Sequence, residues 1–205
     1  GGRDALSRAA EFALLLTVPC AVAFLVVPLP IVRTLFERGA FEADDTAATA
    51  LILIIYGLGL PAFVLQKVWQ PLFFAREDTR TPFRFALVSL AVNAVVAVGL
   101  APFIGYAAAA LGTTLAAWAM AALLILGARP MGEAARLDDR LRRRIPRILL
   151  SSGIMAAALW IANIALATLF GGPFQALALA LLVGTGIVTY FAAAHLTGAM
   201  SLREI

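Results

Sequence analysis

The chain of 205 residues contains very little cysteine, histidine and charge. Its one cysteine, Cys20, excludes an intramolecular disulfide framework, and with one histidine, His195, a Cys/His zinc site is not expected. Charged residues make up 14% of the chain, against about 25% in soluble proteins. By contrast, 62% of the residues are hydrophobic, and the mean hydropathy is +0.95. A water-soluble globule of this size cannot bury that much apolar surface, so we expect a membrane protein without metal or cofactor.

The few carboxylates are poorly placed for catalysis. Apart from Glu11, every Asp and Glu falls between the long apolar runs or near a terminus. No buried acid pair is therefore available for general acid–base chemistry. The sequence also has no glycine-rich phosphate loop and no Gly-x-Ser-x-Gly motif. We expect no catalytic residues and no enzyme activity.

Six long apolar runs dominate the chain. A helix rises about 1.5 Å per residue and the hydrocarbon core is about 30 Å thick, so about 20 apolar residues cross it. The runs are rich in Ala and Leu and lack the period-two alternation of membrane strands. They cover residues 12–36, 46–75, 83–101, 106–128, 148–170 and 174–196. The sequence thus predicts an all-α polytopic membrane protein with six transmembrane helices.

The arginines fall almost entirely on one side of these predicted spans. Every arginine except Arg33 and Arg38 lies near a terminus or in the second or fourth loop. Because loops rich in Lys and Arg remain in the cytoplasm, we predict that both ends of the chain are cytoplasmic. The net charge of +4 is then a topology signal and does not indicate nucleic-acid binding.

A basic interval divides the predicted spans into two groups. Residues 129–147 contain seven arginines and form the longest hydrophilic stretch. We predict three parts: residues 1–128 with four spans, residues 129–147 as a basic cytoplasmic connector at the headgroup surface, and residues 148–205 with two further spans. Because the chain begins Gly-Gly-Arg without an initiator Met, we expect it to be a portion of a longer protein.

Lys67 is an ionisable residue within a predicted span. It precedes Arg76 by nine residues and so lies about 13 Å from that end of the helix. Gln70 follows three residues later on the same helix face. Pro61 and Pro71 interrupt the backbone on either side, as in helices that line transport cavities. Lys67 and Gln70 are candidates for lining a substrate cavity; the alternative is a lysine that snorkels to the headgroups.

Asn93 lies in the middle of the third predicted span. An Asn in hydrocarbon usually bonds a neighbouring helix, which contributes about 0.6–2 kcal/mol. The alternative is that Asn93 also lines the substrate cavity, and both interpretations remain open at this point.

Two loop motifs resemble those of a known family. Residues 35–41 read Leu-Phe-Glu-Arg-Gly-Ala-Phe, and residues 71–82 read Pro-Leu-Phe-Phe-Ala-Arg-Glu-Asp-Thr-Arg-Thr-Pro. At this spacing, the pair closely resembles the MurJ (MviN) family of lipid II flippases. The loop residues that carry the resemblance are Glu37, Arg38, Gly39, Asp78, Thr79, Thr81 and Pro82.

The resemblance implies the last six of fourteen helices of an exporter-type bundle in the bacterial inner membrane, with both termini cytoplasmic. It implies transport by alternating access of a lipid-linked peptidoglycan precursor of the undecaprenyl diphosphate type. The implied partners are the bilayer, this lipid and the N-terminal helices of the same protein, with no nucleic acid. The resemblance also implies that the last two helices help to form a groove for the lipid tail. The alternatives are a related lipid-linked oligosaccharide or drug exporter of the same superfamily, and a membrane scaffold that transports nothing.

Overall fold

The computed structural model describes residues 2–135, 139–172 and 174–199, and these are almost entirely helical. A 3-10 segment, Arg129–Ala135, joins α5 to the residues before α6. The α-helices are α1 (Gly2–Val26), α2 (Pro28–Phe36), α3 (Ala43–Phe74), α4 (Arg80–Ile104), α5 (Ala107–Ala128), α6 (Asp139–Ala165), α7 (Ala167–Phe170) and α8 (Gln175–Leu196). Among the described residues, six helices, namely α1, α3, α4, α5, α6 and α8, are long and apolar enough to cross a membrane. The predicted fold class is confirmed.

The first predicted span differs from the structure at both ends. Helix α1 begins at Gly2, whereas the predicted span began at residue 12. The helix is interrupted at Val27, and the short helix α2 follows. Val27 has φ −129° and ψ 44°, outside the helical region. The ring of Pro28 disfavours a helical conformation in the residue before it, which explains the break.

The fifth predicted span also has different limits. Helix α6 begins at Asp139, well before the expected residue 148, and it ends at Ala165. The remaining residues form the separate short helix α7. Helix α6 therefore contains both the later residues of the basic interval and the membrane span, and Pro146 lies inside it.

The chain forms two compact units, of which the first comprises Gly1–Thr17 and Leu58–Ile145. Within it, α4 and α5 form an antiparallel hairpin, turned at Gly105, which has the positive φ of 57° that glycine adopts without strain. The buried core of this unit includes Leu6, Ala10, Ala62, Leu65, Trp69, Phe73, Ala117, Met120, Ala121, Leu124, Ala128 and Leu141. The start of α1, the second half of α3, α5 and the start of α6 thus meet in one core.

The second unit comprises Val18–Gly57 and Pro146–Ile205. Helices α2 and α7 both contact α8. A Cβ at Gly186 of α8 would lie 3.1 Å from the side chain of Leu159 in α6, so these two helices approach closely. The buried core of this unit includes Val27, Met155, Leu159, Phe170, Ala178, Leu182 and Tyr190.

Candidate functional site

Polar side chains in the first unit converge on α5. Gln66 of α3 donates its amide N–H to the carbonyl of Ala117 at 2.8 Å. Ser89 of α4 donates to the neighbouring carbonyl of Ala116, also at 2.8 Å. Trp118 of α5 donates its indole N–H to the carbonyl of Leu58 in α3, with 3.0 Å between the nitrogen and the oxygen. Polar atoms that lipid cannot satisfy thus link three helices, as expected in an apolar solvent.

Asn93 makes an interhelical bond. Its amide nitrogen lies 3.3 Å from the hydroxyl oxygen of Thr113 on α5, and that hydroxyl donates to the carbonyl of Ala109. The contact matches the helix-linking interpretation of Asn93. An amide has two N–H donors and an oxygen acceptor, so one bond leaves capacity for a ligand, and the cavity role stays a prediction.

Lys67 and Gln70 lie one helical turn apart on α3. The Lys67 side chain is exposed, and Gln70 is half-buried. Among the residues that the structure describes, neither side chain has a hydrogen-bond or ion-pair partner. Consecutive side chains of a helix are rotated by about 100° around its axis. Gln66 faces α5, so the next residue, Lys67, lies on a different face of α3. Lys67 is therefore a cation on an apolar helix without a countercharge in the described part of the chain.

A buried ion pair joins the starts of two spans in the first unit. The Arg144 guanidinium of α6 donates to the Glu11 carboxylate of α1, and their side chains are 13% and 12% exposed. The attraction between the two charges offsets the free-energy cost of removing both of them from water. The sequence sets Glu11 apart from the other carboxylates, but its partner could not be predicted, since the two residues lie 133 positions apart.

The first loop motif forms the turn from α2 to α3. The Glu37 carboxylate accepts hydrogen bonds from the Thr46 hydroxyl at 2.7 Å and from the Arg33 guanidinium at 3.3 Å. The Thr46 hydrogen bond is the main reason that the pKa of Glu37 is lowered; partial burial opposes it, and Arg33 adds a smaller lowering effect. Arg38 donates to the carbonyl of Thr34, and Gly39 has a φ of 64°. These residues therefore shape the loop.

The second loop motif starts α4. The Asp78 carboxylate accepts the backbone N–H of Thr81 at 3.0 Å. This bond satisfies one of the N–H groups that a helix start leaves without an intrahelical acceptor. Thr79 occupies the N-cap position without a side-chain cap bond, and Pro82 is buried in the first turn of α4. Arg76, just before the motif, donates to the carbonyl of Met131 at 2.9 Å and ties this loop to the segment after α5.

The polar residues fall into separate groups. Asn93 and Ser89 bond α5, Lys67 and Gln70 share a turn of α3, and the loop-motif residues form two turns. Within residues 2–135, 139–172 and 174–199, no three His, Cys, Asp or Glu side chains gather as a metal site would require. The bond from Gln66 to Ala117 could not be predicted from the sequence, since no local pattern identifies a partner 51 positions away.

The chain matches the family model described as "Lipid II flippase MurJ" over residues 1–161. It is 45% identical over 203 residues to a probable lipid II flippase MurJ of Rhizobium meliloti (strain 1021), covering 97% of this chain and 38% of the relative. A similarly named protein of Rhizobium tropici is 36% identical over the same length and covers the same shares. The chain therefore spans a little over a third of the length of these relatives.

The fold also matches a solved structure. A lipid II flippase MurJ in an inward closed conformation superposes with a TM-score of 0.80 at 23% identity, covering 96% of this chain and 39% of that one. The structural likeness establishes a shared helical fold, and the family model covers most of the sequence. On these grounds the chain belongs to the MurJ family of lipid II flippases.

Proposed function

We propose that this chain forms membrane helices of a lipid II flippase, a bacterial inner-membrane transporter that moves a lipid-linked peptidoglycan precursor. The observation that carries the proposal is the family match over residues 1–161, on a chain with six helices of membrane-spanning length. The relatives named above are described as flippases, which are transporters. The family identity agrees with the expectation that the chain is not an enzyme.

The substrate is proposed to carry a diphosphate on a polyprenyl chain, and Lys67 is proposed to face it. A diphosphate must be matched by positive charge as it crosses a medium of low dielectric. At about 4 Å and an effective dielectric constant of about 20, one cation attracts one unit of negative charge by about 4 kcal/mol. The exposed ammonium of Lys67, which pairs with no carboxylate among the residues that the structure describes, is available for this role, with Gln70 one turn away as a hydrogen-bonding neighbour.

The remaining helices of a MurJ protein and the bilayer are proposed as the partners of this segment. Supporting this, none of the most hydrophobic stretch of α4 is buried within the chain. Its exposed apolar side chains include Phe83, Leu87, Leu90, Val95 and Val98. Such a face requires either lipid or further apolar helices against it.

The last two spans, in residues 148–205, are proposed to contribute to a groove for the lipid tail. Both α6 and α8 have exposed apolar side chains that suit a hydrocarbon ligand, among them Ile154, Trp160, Ile164, Leu181 and Ile187. Both ends of this segment are proposed to be cytoplasmic, on the strength of the arginine distribution.

The alternatives are less well supported. A related oligosaccharide-lipid or drug exporter would share the helical bundle, but the family match is to the lipid II flippases. A non-transporting scaffold would not need a cation such as Lys67 on an apolar helix, because a charge in hydrocarbon costs several kcal/mol.

The test is complementation of a flippase-depleted bacterium with the full-length gene that contains this segment. We expect the wild-type gene to sustain growth and lipid II flipping. Lys67→Ala should reduce flipping by about tenfold or more, because even a third of the attraction above is about 1.4 kcal/mol. Lys67→Arg is the matched control: it keeps the charge and should retain part of the activity.

Protein abundance in the membrane, measured by immunoblot, separates loss of transport from loss of folding. Lysis of wild-type-complemented cells despite normal abundance would contradict the flippase proposal. Normal flipping by Lys67→Ala as the only copy would leave the flippase proposal intact and remove Lys67 from the cavity.

A further inference from the structure

Gln66 makes a directional contact beside Lys67, the cation that is proposed to face the substrate. Its amide N–H donates to the carbonyl of Ala117 in α5 at 2.8 Å. Gln66 is half-buried, whereas Lys67, the next residue of α3, is exposed on a different face of the helix. The bond therefore joins α3 to α5 at the position next to Lys67 and leaves the ammonium group free of any part in it.

The buried face of this part of α3 is otherwise apolar. It consists of Ala62, Leu65, Trp69 and Phe73, which lie in the core of the first unit. The hydrophobic contribution of such a face depends on the area that is buried and has no preferred direction. A hydrogen bond, by contrast, weakens steeply when its angle departs from linear. The bond from Gln66 is therefore the contact that is most sensitive to rotation of this part of α3 about its axis.

Two prolines weaken α3 on either side of Gln66. Pro61 and Pro71 both lie inside the helix, and each lacks the backbone N–H that would bond the carbonyl four residues earlier. For Pro71 this carbonyl belongs to Lys67. The helical ladder is thus interrupted at Lys67 itself, and an anchor close to this residue has to come from another helix.

The other side-chain bond between α3 and α5 lies beyond one of these weak points. Trp118 donates to the carbonyl of Leu58, which precedes Pro61 in α3. Gln66 lies after Pro61, on the same side as Lys67. Of the two bonds, the one from Gln66 is therefore better placed to set the direction in which Lys67 projects.

We propose that Gln66 is a positioning residue for transport: its bond to Ala117 holds α3 at the rotation that presents Lys67 to the substrate. The proposal rests on the role proposed for Lys67 and adds a residue that does not touch the substrate. Ser89 of α4 makes a comparable bond, to the carbonyl of Ala116 at 2.8 Å, from a helix that does not contain Lys67. It is the matched control for a bond that merely joins helices.

The first test compares single and double variants of the full-length protein in a flippase-depleted bacterium. Gln66→Met keeps nearly the same side-chain length and lacks the amide. We expect it to reduce flipping by about threefold or more, the factor that corresponds to a typical interhelical hydrogen bond. In the Lys67→Ala background it should cause no further loss, because a positioning residue acts only through the group that it positions. Ser89→Ala should flip as the wild type does.

Three results of this test would overturn the proposal. They are losses that multiply in the double variant, a loss in Ser89→Ala equal to that in Gln66→Met, and normal flipping by Lys67→Ala. Thermal unfolding of the purified proteins separates positioning from stability. Gln66→Met and Ser89→Ala each lose one interhelical bond, so their unfolding temperatures should fall by similar amounts while only Gln66→Met loses flipping. Gln66→Leu, which also lacks the amide, replaces Gln66→Met if the latter does not fold.

The second test needs no transport. Lys67→Cys is introduced into the full-length protein after its native cysteines, Cys20 among them, have been replaced by serine. The rate of labelling by 2-aminoethyl methanethiosulfonate in isolated membranes then reports the exposure of position 67 to water. We expect Gln66→Met to change this rate by about threefold or more and Ser89→Ala to leave it unchanged. Equal rates in all three proteins would overturn the role of Gln66 alone, whereas lysis of cells with the wild-type gene would contradict the flippase proposal.

Discussion

At the scale of the residue, the absence of one side chain sets how closely α4 and α5 approach. A Cβ on Gly112 would lie 2.9 Å from the backbone oxygen of Asn93 and 3.2 Å from the backbone nitrogen of Ala97. Both are backbone atoms, which cannot move aside as the end of a flexible side chain can. Small residues at such contacts are the usual means by which membrane helices pack.

We therefore predict that Gly112→Ala lowers the unfolding temperature of the full-length protein in detergent. Overpacking of a close contact typically costs about 1–3 kcal/mol. The matched control is Gly99→Ala on α4, where a Cβ would have nothing within 4 Å. This control should leave the unfolding temperature unchanged or raise it, since Ala is a better helix former by about 1 kcal/mol. Identical curves for the two variants would show that the α4–α5 contact tolerates a methyl group.

At the scale of the element, the start of α4 depends on one carboxylate. The hydrogen bonds from Thr81 lower the pKa of Asp78 below its usual value of 3.8, against a smaller effect of burial in the opposite direction. An acid whose pKa is lower in the folded state stabilises the fold above its unfolded pKa. That contribution disappears as the pH falls through the folded pKa.

The prediction is that Asp78→Ala unfolds at a lower temperature than the wild type at pH 7, and that the gap narrows as the pH falls below about 4. Asp78→Asn keeps an acceptor oxygen and should lie between the two. The measurement is thermal unfolding of the full-length protein across pH 3 to 7. Glu77→Gln, which neutralises the adjacent acid, is the control and should follow the wild type. A gap between wild type and Asp78→Ala that is independent of pH would show that the ionised carboxylate is not responsible.

At the scale of the whole molecule, the uneven distribution of arginines predicts the orientation in the membrane. Glu42 immediately precedes α3 and Asp44 and Asp45 lie in its first turn, whereas residues 129–147 contain seven arginines. Positively charged loops are retained on the cytoplasmic side.

We predict that a cysteine at position 43 reacts with a membrane-impermeant thiol reagent in intact cells depleted of their outer membrane. A cysteine at position 135 should react only after the inner membrane is permeabilised. The native Cys20 is exposed and is first replaced by serine to remove its signal. The reverse labelling pattern would invert the proposed topology.

Some features of this protein follow from short stretches of sequence. The number and approximate positions of the spans could be predicted because the free energy of placing a segment in a bilayer depends on its own length and composition. The interruption of the helix before Pro28 is also a local effect, because it arises from a steric clash between neighbouring residues. The two loop motifs could also be found in the sequence, because turn chemistry such as the bond from Thr81 to Asp78 spans only a few positions.

The helical class, the six spans and the loop motifs could therefore be predicted, because all of them depend on short-range chemistry. Which side chains meet depends on tertiary packing: Glu11 bonds Arg144, Gln66 bonds Ala117, and Asn93 bonds Thr113. These pairings depend on how helices distant in sequence pack, and hydrophobic periodicity identifies an apolar face without identifying the helix that covers it.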